Sequence, residues 1–286
     1  MKVIYIIFIL ALIHGCTENQ EIISQNASTW HEVQKNGHGT VALAYVPSEG
    51  FSYIDKDGRL TGVTIELIRD FIGYINQEYG VNIEIVYEPI DNFSGFYNQV
   101  KEAESGVFGV ANVTITEERR SELQFSPPYI TNIATLITHS DIREIGSLSD
   151  LPDTFTGLSP LAFEGTLHQE RLEKISEMYL PDKKMAFANS NNEIIERLSA
   201  DNHYFAYVDI YNYWRAAERG APLRRHTAGD ELSEEFGVIM PLKSDWADVL
   251  EEFFEHNGGY IQSSRYRELL NLHLGERLTS LLLDGN

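Results

Sequence analysis

Along the chain, short apolar runs alternate with stretches whose apolar residues recur every three or four positions. Thr40, Val41, Ala42, Leu43, Ala44 and Tyr45 read as a buried strand. Asp55, Lys56, Asp57 and Gly58 then make a turn, with Asp57-Gly58 its strongest part. Val63, Ile65, Leu67, Ile68, Phe71, Ile72 and Ile75 follow at helical spacing and predict a helix over 63–75. A strand over 82–87, a helix over 93–103 and a strand over 107–113 complete a first block. The alternation then repeats: a strand over 154–161, helices over 166–178 and 193–198, a short strand over 204–208, a helix over 210–219 and a strand over 236–240. Amphipathic helices over 246–254 and 266–274 close the chain. Strands alternating with helices imply βαβ units and a largely parallel sheet. Two such blocks imply two lobes, and ligands of α/β sheets sit in crevices at strand ends.

The first sixteen residues depart from this pattern. Lys2 precedes an unbroken apolar run over 3–13, which His14, Gly15 and Cys16 end. A positive start, an apolar core of about 7–15 residues and a small residue at the cut read as a secretory signal. The run is too short to span a membrane, which takes about 20 apolar residues. Residues 17–36 are polar and lack a clear apolar period, which predicts a flexible tether. Cys16 is the only cysteine, so no intramolecular disulfide forms.

Composition narrows the function classes. The 286 residues suit one large or two medium domains, and 43% apolar with 23% charged residues is ordinary for a folded chain. A net charge of −21 with acids throughout argues against nucleic acid, whose binders carry basic patches. It does not exclude an acidic ligand, because a pocket can be locally basic. The nine histidines include no H-x-x-x-H or H-E-x-x-H pair, and no G-x-S-x-G, Walker A or G-x-G-x-x-G run occurs. No metal, cofactor or catalytic residue is therefore assigned.

The most informative stretch runs from Asn112 to Tyr129. Thr116 is a good N-cap after a strand, so a helix opens at Glu117. That brings free backbone N–H groups and the positive helix end near Thr114, Thr116 and Arg119. A guanidinium there can grip a carboxylate through two parallel hydrogen bonds. Taken alone, Arg119 reads as a solvated helix arginine beside Glu122. The surrounding residues alter that reading. Thr114, Thr116, Arg119, Phe125, Ser126 and Tyr129 stand in the order and spacing T-x-T-x-x-R, then Phe-Ser-x-x-Tyr. This closely resembles the signature of the family 3 extracellular solute-binding proteins, the amino-acid receptors of ABC importers.

The resemblance implies a type II periplasmic-binding-protein fold: α/β, two-lobed, each lobe a mixed, mainly parallel sheet flanked by helices, with two hinge crossovers. It implies that Arg119 holds a ligand α-carboxylate with help from Thr114, while Arg120, about 100° round the helix, points away. Gly58 to Gly62 looks like the family's glycine turn into its first helix. Phe93 stands where the glutamine-binding branch packs an aromatic on the ligand, and Tyr45 stands where that family places another; both also suit ordinary core packing. Phe163-Glu164-Gly165-Thr166 resembles the turn through which the second lobe reaches the ligand with Thr166. Asp209, ending a strand just before a helix, matches the aspartate that accepts the ligand's α-ammonium, although an aspartate there also reads as an N-cap. Asn112, Glu164 and His168 are further candidate side-chain readers. Ala42 replaces an aspartate that helps hold cationic side chains in the family, which weakens a lysine or arginine ligand.

The implied organisation is a signal peptide over 1–16, a tether over 17–36, a first lobe over 37–132 and 234–286, and a second over 133–233. The hinges fall near 130–134 and 233–236. Ile13-His14-Gly15-Cys16 resembles a lipobox, with His14 where a smaller residue is usual, and implies a lipid anchor on Cys16 that holds the protein on the outer side of a membrane. The implied function is binding of an α-amino acid or similar small carboxylate and delivery to the membrane permease of an ABC importer. The alternatives are a cyclohexadienyl-dehydratase-like enzyme on the same fold, with Glu164 or His168 as acid, or a ligand-sensing domain.

Overall fold

The structure is a computed structural model that describes residues 27–284. Cys16 and the expected leader lie outside the described residues. The tether does not extend as far as expected. α1 (Trp30–Asn36) is capped by a capping box in which Thr29 accepts from Glu32 N and the Glu32 side chain answers. Asp245 then accepts from Trp30 N at 2.9 Å and His31 N at 3.0 Å, fixing this turn to the body of the protein. Val33 is fully buried, so the segment is anchored by its apolar residue.

After α1 come β1 (His38–Tyr45), a small hairpin of β2 (Tyr53–Ile54) and β3 (Leu60–Thr61), and α2 (Val63–Tyr79). The glycine before α2 is obligatory: Gly62 has φ 126, and a Cβ there would lie 2.3 Å from Phe51 O. β4 (Asn82–Pro89), α3 (Phe93–Glu102), β5 (Val107–Thr114), the single turn α4 (Glu117–Arg120), β6 (Leu123–Phe125) and β7 (Ile130–His139) follow. The second lobe adds α5 (Leu151–Thr154), β8 (Ser159–Phe163), α6 (Leu167–Tyr179), β9 (Ala186–Ala188), α7 (Asn191–Ala200), β10 (Tyr204–Asp209) and α8 (Ile210–Glu218). The long β11 (Leu223–Pro241) returns to the first lobe, and α9 (Ala247–Glu255), α10 (Ser264–Leu274) and α11 (Glu276–Asp284) pack on it.

The strands form one sheet in the order β4-β1-β5-β11-β7-β10-β8-β9, with β6 also on β11. β1 is parallel to β4 and β5, and β8 is parallel to β9 and β10. The centre is antiparallel, because β11 runs against β5, β6 and β7. The two lobes are joined here: β7 carries the chain out and β11 carries it back, paired from Phe236↔Ile130 through Glu234↔Asn132 to Glu231↔Ala134. β11 spans 19 residues rather than the expected five over 236–240. The strand expected over 154–161 begins only at Ser159, since Leu151 and Phe155 bury themselves from a helical turn instead.

Trp246 centres the first-lobe core. It is fully buried against Phe71, Phe108 and Trp30, and its Nε1 donates to Ser28 O at 2.9 Å. A second cluster around Phe155, Leu172, Phe205 and Tyr207 fills the other lobe.

Candidate functional site

Where β5 ends and α4 begins, Thr116 caps the turn by accepting from Arg119 N at 3.2 Å. This aims the Arg119 side chain back over β5. Its Nη1 donates to Thr114 O at 3.0 Å, and its guanidinium lies 5.6 Å from the Phe93 ring centre and 5.7 Å from that of Tyr97. Among the described residues no carboxylate pairs with it. Burial pushes its pKa below the ordinary arginine value, against the smaller opposing pull of Tyr97, Glu170, Glu118 and Glu122, so the charge is held partly dry with no carboxylate in direct contact. Such a cation has most to gain from an incoming anion.

Arg119 lines a cavity of about 280 Å³ together with Thr114, Asn112, Phe93, Thr166 and Asp209. Small-molecule sites start at about 300 Å³, so this one suits a small ligand. Asp209 opens α8 but makes no side-chain cap hydrogen bond. Its Oδ1 instead accepts from Asn132 Nδ2 at 2.6 Å and lies 3.2 Å from His168 Nε2. His168 Nδ1 contacts Arg171 Nη1 at 3.0 Å, Arg171 pairs with Glu234, and Glu234 accepts from Asn132 Nδ2 at 3.0 Å. The result is a closed ring of polar groups: the buried Asp209, His168, Glu234 and Asn132, and the partly buried Arg171. Two members line or border the cavity, and two, Asn132 and Glu234, face each other on the strands that join the lobes.

The other expected residues fall out as follows. Thr166 is the N-cap of α6 without a side-chain cap; its hydroxyl donates to Phe163 O at 2.8 Å, which leaves first-turn N–H groups of α6 open at the cavity wall. Asn112 sits at φ 53 where β5 bulges: residues 110–112 face Val238 alone. Its amide is committed to the protein, accepting from Tyr129 Oη at 2.8 Å and donating to Tyr211 Oη at 2.7 Å. Tyr45 lies apart from these. It packs in the core with Val41 and Leu43 and does not line the cavity; Val46 to Glu49, just beyond it, do. Glu164 is exposed and outside the cavity, whereas His168 is inside. Arg120 is exposed over Phe125, away from the site.

Several lining residues have no forerunner in the motif. Tyr211 and Asn212 come from the first turn of α8, and residues 189–192 from the turn that opens α7. The signal for the first pair is their place directly after Asp209. Tyr211 crosses into the first-lobe core, its ring 4.5 Å from that of Phe51. Arg215 and Arg219, further along α8, both pair with Glu49 of the first lobe. The lobes are thus in contact along α8.

A family comparison matches residues 41–216 to the bacterial extracellular solute-binding proteins, family 3. The chain belongs to this family. Solved structures agree on the fold of this solute-binding protein. An ABC uptake transporter substrate-binding protein from Streptococcus pneumoniae with bound histidine superposes at TM-score 0.67, 20% identity, covering 86% of this chain and 96% of that one. An ancestral arginine-binding protein bound to arginine gives 0.63 at 19%, covering 82% and 98%. An ancestral amino acid-binding protein, a precursor of cyclohexadienyl dehydratase, gives 0.61 at 22%, covering 85% and 98%. Among curated proteins, the membrane-bound lytic murein transglycosylase F of Pseudomonas fluorescens (strain Pf0-1) is 24% identical over 168 residues, 59% of this chain. The match spans only 30% of that relative's own length.

Proposed function

We propose that this solute-binding protein holds an α-amino acid between its lobes, the carboxylate on Arg119 and the ammonium at Asp209, and delivers it unchanged to the permease of an ABC importer. The observation that carries this reading is the sharing of one small cavity by an unpaired, partly dry cation and a buried carboxylate. Thr114 and Phe93 support the guanidinium; Thr166, its own donors given to Phe163 O, offers its hydroxyl oxygen from the other lobe, and the donors there come from the first turn of α6. Asn112 takes part by holding Tyr211. The lobes are proposed to span 37–132 with 234–286, and 133–233. The strands over 130–134 and 233–236 act as the hinge. Export and a lipid anchor on Cys16 complete the proposal, and loss of lipid labelling in Cys16→Ser tests that part.

A thermal-shift panel of amino acids tests the binding role. A ligand at about 100 times its Kd adds about 2.7 kcal/mol of stability. No shift with any amino acid or small carboxylate sinks the reading. A second reading, a dehydratase-like enzyme, draws on the place of His168 inside the cavity. Appearance of phenylpyruvate on incubation with prephenate decides for it.

A further inference from the structure

The proton directions around the ring at Asp209 are forced by its members. A guanidinium donates and cannot accept, so Arg171 Nη1, 3.0 Å from His168 Nδ1, requires a bare lone pair on that nitrogen. The proton of His168 then sits on Nε2, which lies 3.2 Å from Asp209 Oδ1 and donates to it. Turning the imidazole over would set C–H groups against both partners. On the other side, the two N–H bonds of Asn132 Nδ2 go to Asp209 Oδ1 and Glu234 Oε2. Turning that amide over would aim its oxygen at two carboxylates. It keeps this direction although Asn132 Oδ1 then has no partner among the described residues. Glu234 closes the ring by accepting from Arg171. His168 and Arg171 stand three apart on α6, which puts them on one face of the helix.

The neutral state of His168 decides the charge that a ligand meets. Two carboxylates against one guanidinium leave the ring with a single negative charge in a mostly buried place. Glu170 and Glu231 bear on Arg171 from outside the ring and add to the negative side, while Tyr207 stacks on His168 with ring centres 6.4 Å apart. A second proton on His168 would cancel the ring's charge within the protein, but Nδ1 is already taken by Arg171. Of the two carboxylates, Asp209 is the one that lines the cavity. His168 and Asn132 both engage its Oδ1, which leaves Oδ2 to other partners; the Tyr211 phenol is a further neighbour of this carboxylate.

Resting on the amino-acid reading of the site, we infer that His168 is a positioning residue: Arg171 holds it as the neutral Nε2–H tautomer, and in that form it fixes Asp209 for the ligand's ammonium without cancelling the carboxylate's charge. Nitrogen-15 NMR of the unliganded protein at neutral pH reads the tautomer, with the His168 signals assigned by their loss in His168→Gln. The expected result is a protonated Nε2 and a bare Nδ1. A proton on Nδ1, alone or together with one on Nε2, overturns the inference. Titration calorimetry with the twenty common L-amino acids then selects the tightest, and its des-amino acid serves as the second probe. His168→Leu weakens the amino acid about tenfold or more, as loss of one hydrogen bond to a charged group does. The des-amino acid changes by no more than about twofold. His168→Gln, whose amide N–H reaches about where Nε2 stood, recovers most of the loss; unliganded melting curves verify that each variant is folded. An equal loss for the two probes, or no loss in His168→Leu, overturns this inference and leaves the amino-acid reading standing. Absence of binding by every amino acid overturns that reading, and the ammonium role of His168 with it.

Discussion

His168 Nε2 stands 3.2 Å from Asp209 Oδ1, at the place where the cavity meets the strands that join the lobes. Asp209 therefore does not wait in isolation for a ligand ammonium. It already belongs to a ring that reaches Asn132 on β7 and Glu234 on β11. A carboxylate has about four acceptor positions, so two donors on one oxygen leave capacity for a ligand cation. Whatever occupies that capacity also bears on the hinge strands through one amide.

Asp209→Asn keeps the shape and removes the charge. It is expected to weaken an α-amino acid by about 2–5 kcal/mol, the usual loss for one partner of a buried charged pair. The des-amino analogue of the same ligand loses much less. Calorimetry with the two ligands checks the difference, and an equal loss for both removes Asp209 from the ammonium role.

Asn132→Ala takes away the donor shared by Asp209 and Glu234. Asp209 then keeps only His168 of the ring and Glu234 only Arg171. Unfolding in urea is expected to show a loss of about 1–3 kcal/mol. A change near zero shows that water or repacking replaces the bridge.

Gly165→Ala acts on lobe contact rather than on the ligand. Gly165 has φ 76, and a Cβ there would lie 2.1 Å from Ser94 Oγ of the opposite lobe. The contact with Ser94 is strained, and so is the backbone at φ 76, so ligand affinity is expected to drop by about 1–3 kcal/mol. Combining it with Ser94→Ala removes the clashing hydroxyl and restores part of the affinity. No rescue in the double variant shows that backbone strain at Gly165 carries the whole effect.

His226 predicts the response to acid. Burial pushes its pKa from 6.5 down to about 4, with the Arg224 charge adding to the shift. Its Nδ1 accepts from Ile145 N at 3.3 Å, and Nε2 lies 2.8 Å from Thr138 Oγ1, an arrangement that suits a neutral ring. Below about pH 6.5 the unfolded chain takes up a proton that the folded protein refuses until about pH 4. Stability is therefore lost as pH falls through that window, by roughly 3 kcal/mol at its lower end. Denaturant melts from pH 7 to pH 4 are expected to be flatter in His226→Gln by about that amount.

Much of the first lobe was legible in its periodicity. Val63 to Ile75 announced α2, and Thr116 with Arg119 announced the turn that aims the guanidinium. The place of Tyr45 in the core was not legible, for a physical reason. Val41 through Tyr45 are all buried, so alternation cannot say which side chains face the cavity and which the core. β11 was hidden because Asp230, Glu231, Glu234 and Glu235 make its middle read as a loop; it is a strand because β7 supplies its hydrogen bonds at the crossing. The Thr29–Glu32 capping box was a readable sign of α1 within a polar stretch.

The central claim is that Arg119 carries the ligand's carboxylate, and a calorimetric titration of Arg119→Ala with the best amino-acid ligand tests it most directly. The account predicts a loss of at least about 2–5 kcal/mol, from removal of a charge-assisted contact in a partly dry site. The corresponding amine, which lacks the carboxylate, is expected to bind the wild type as weakly as the variant does. Retention of wild-type affinity in Arg119→Ala contradicts the account.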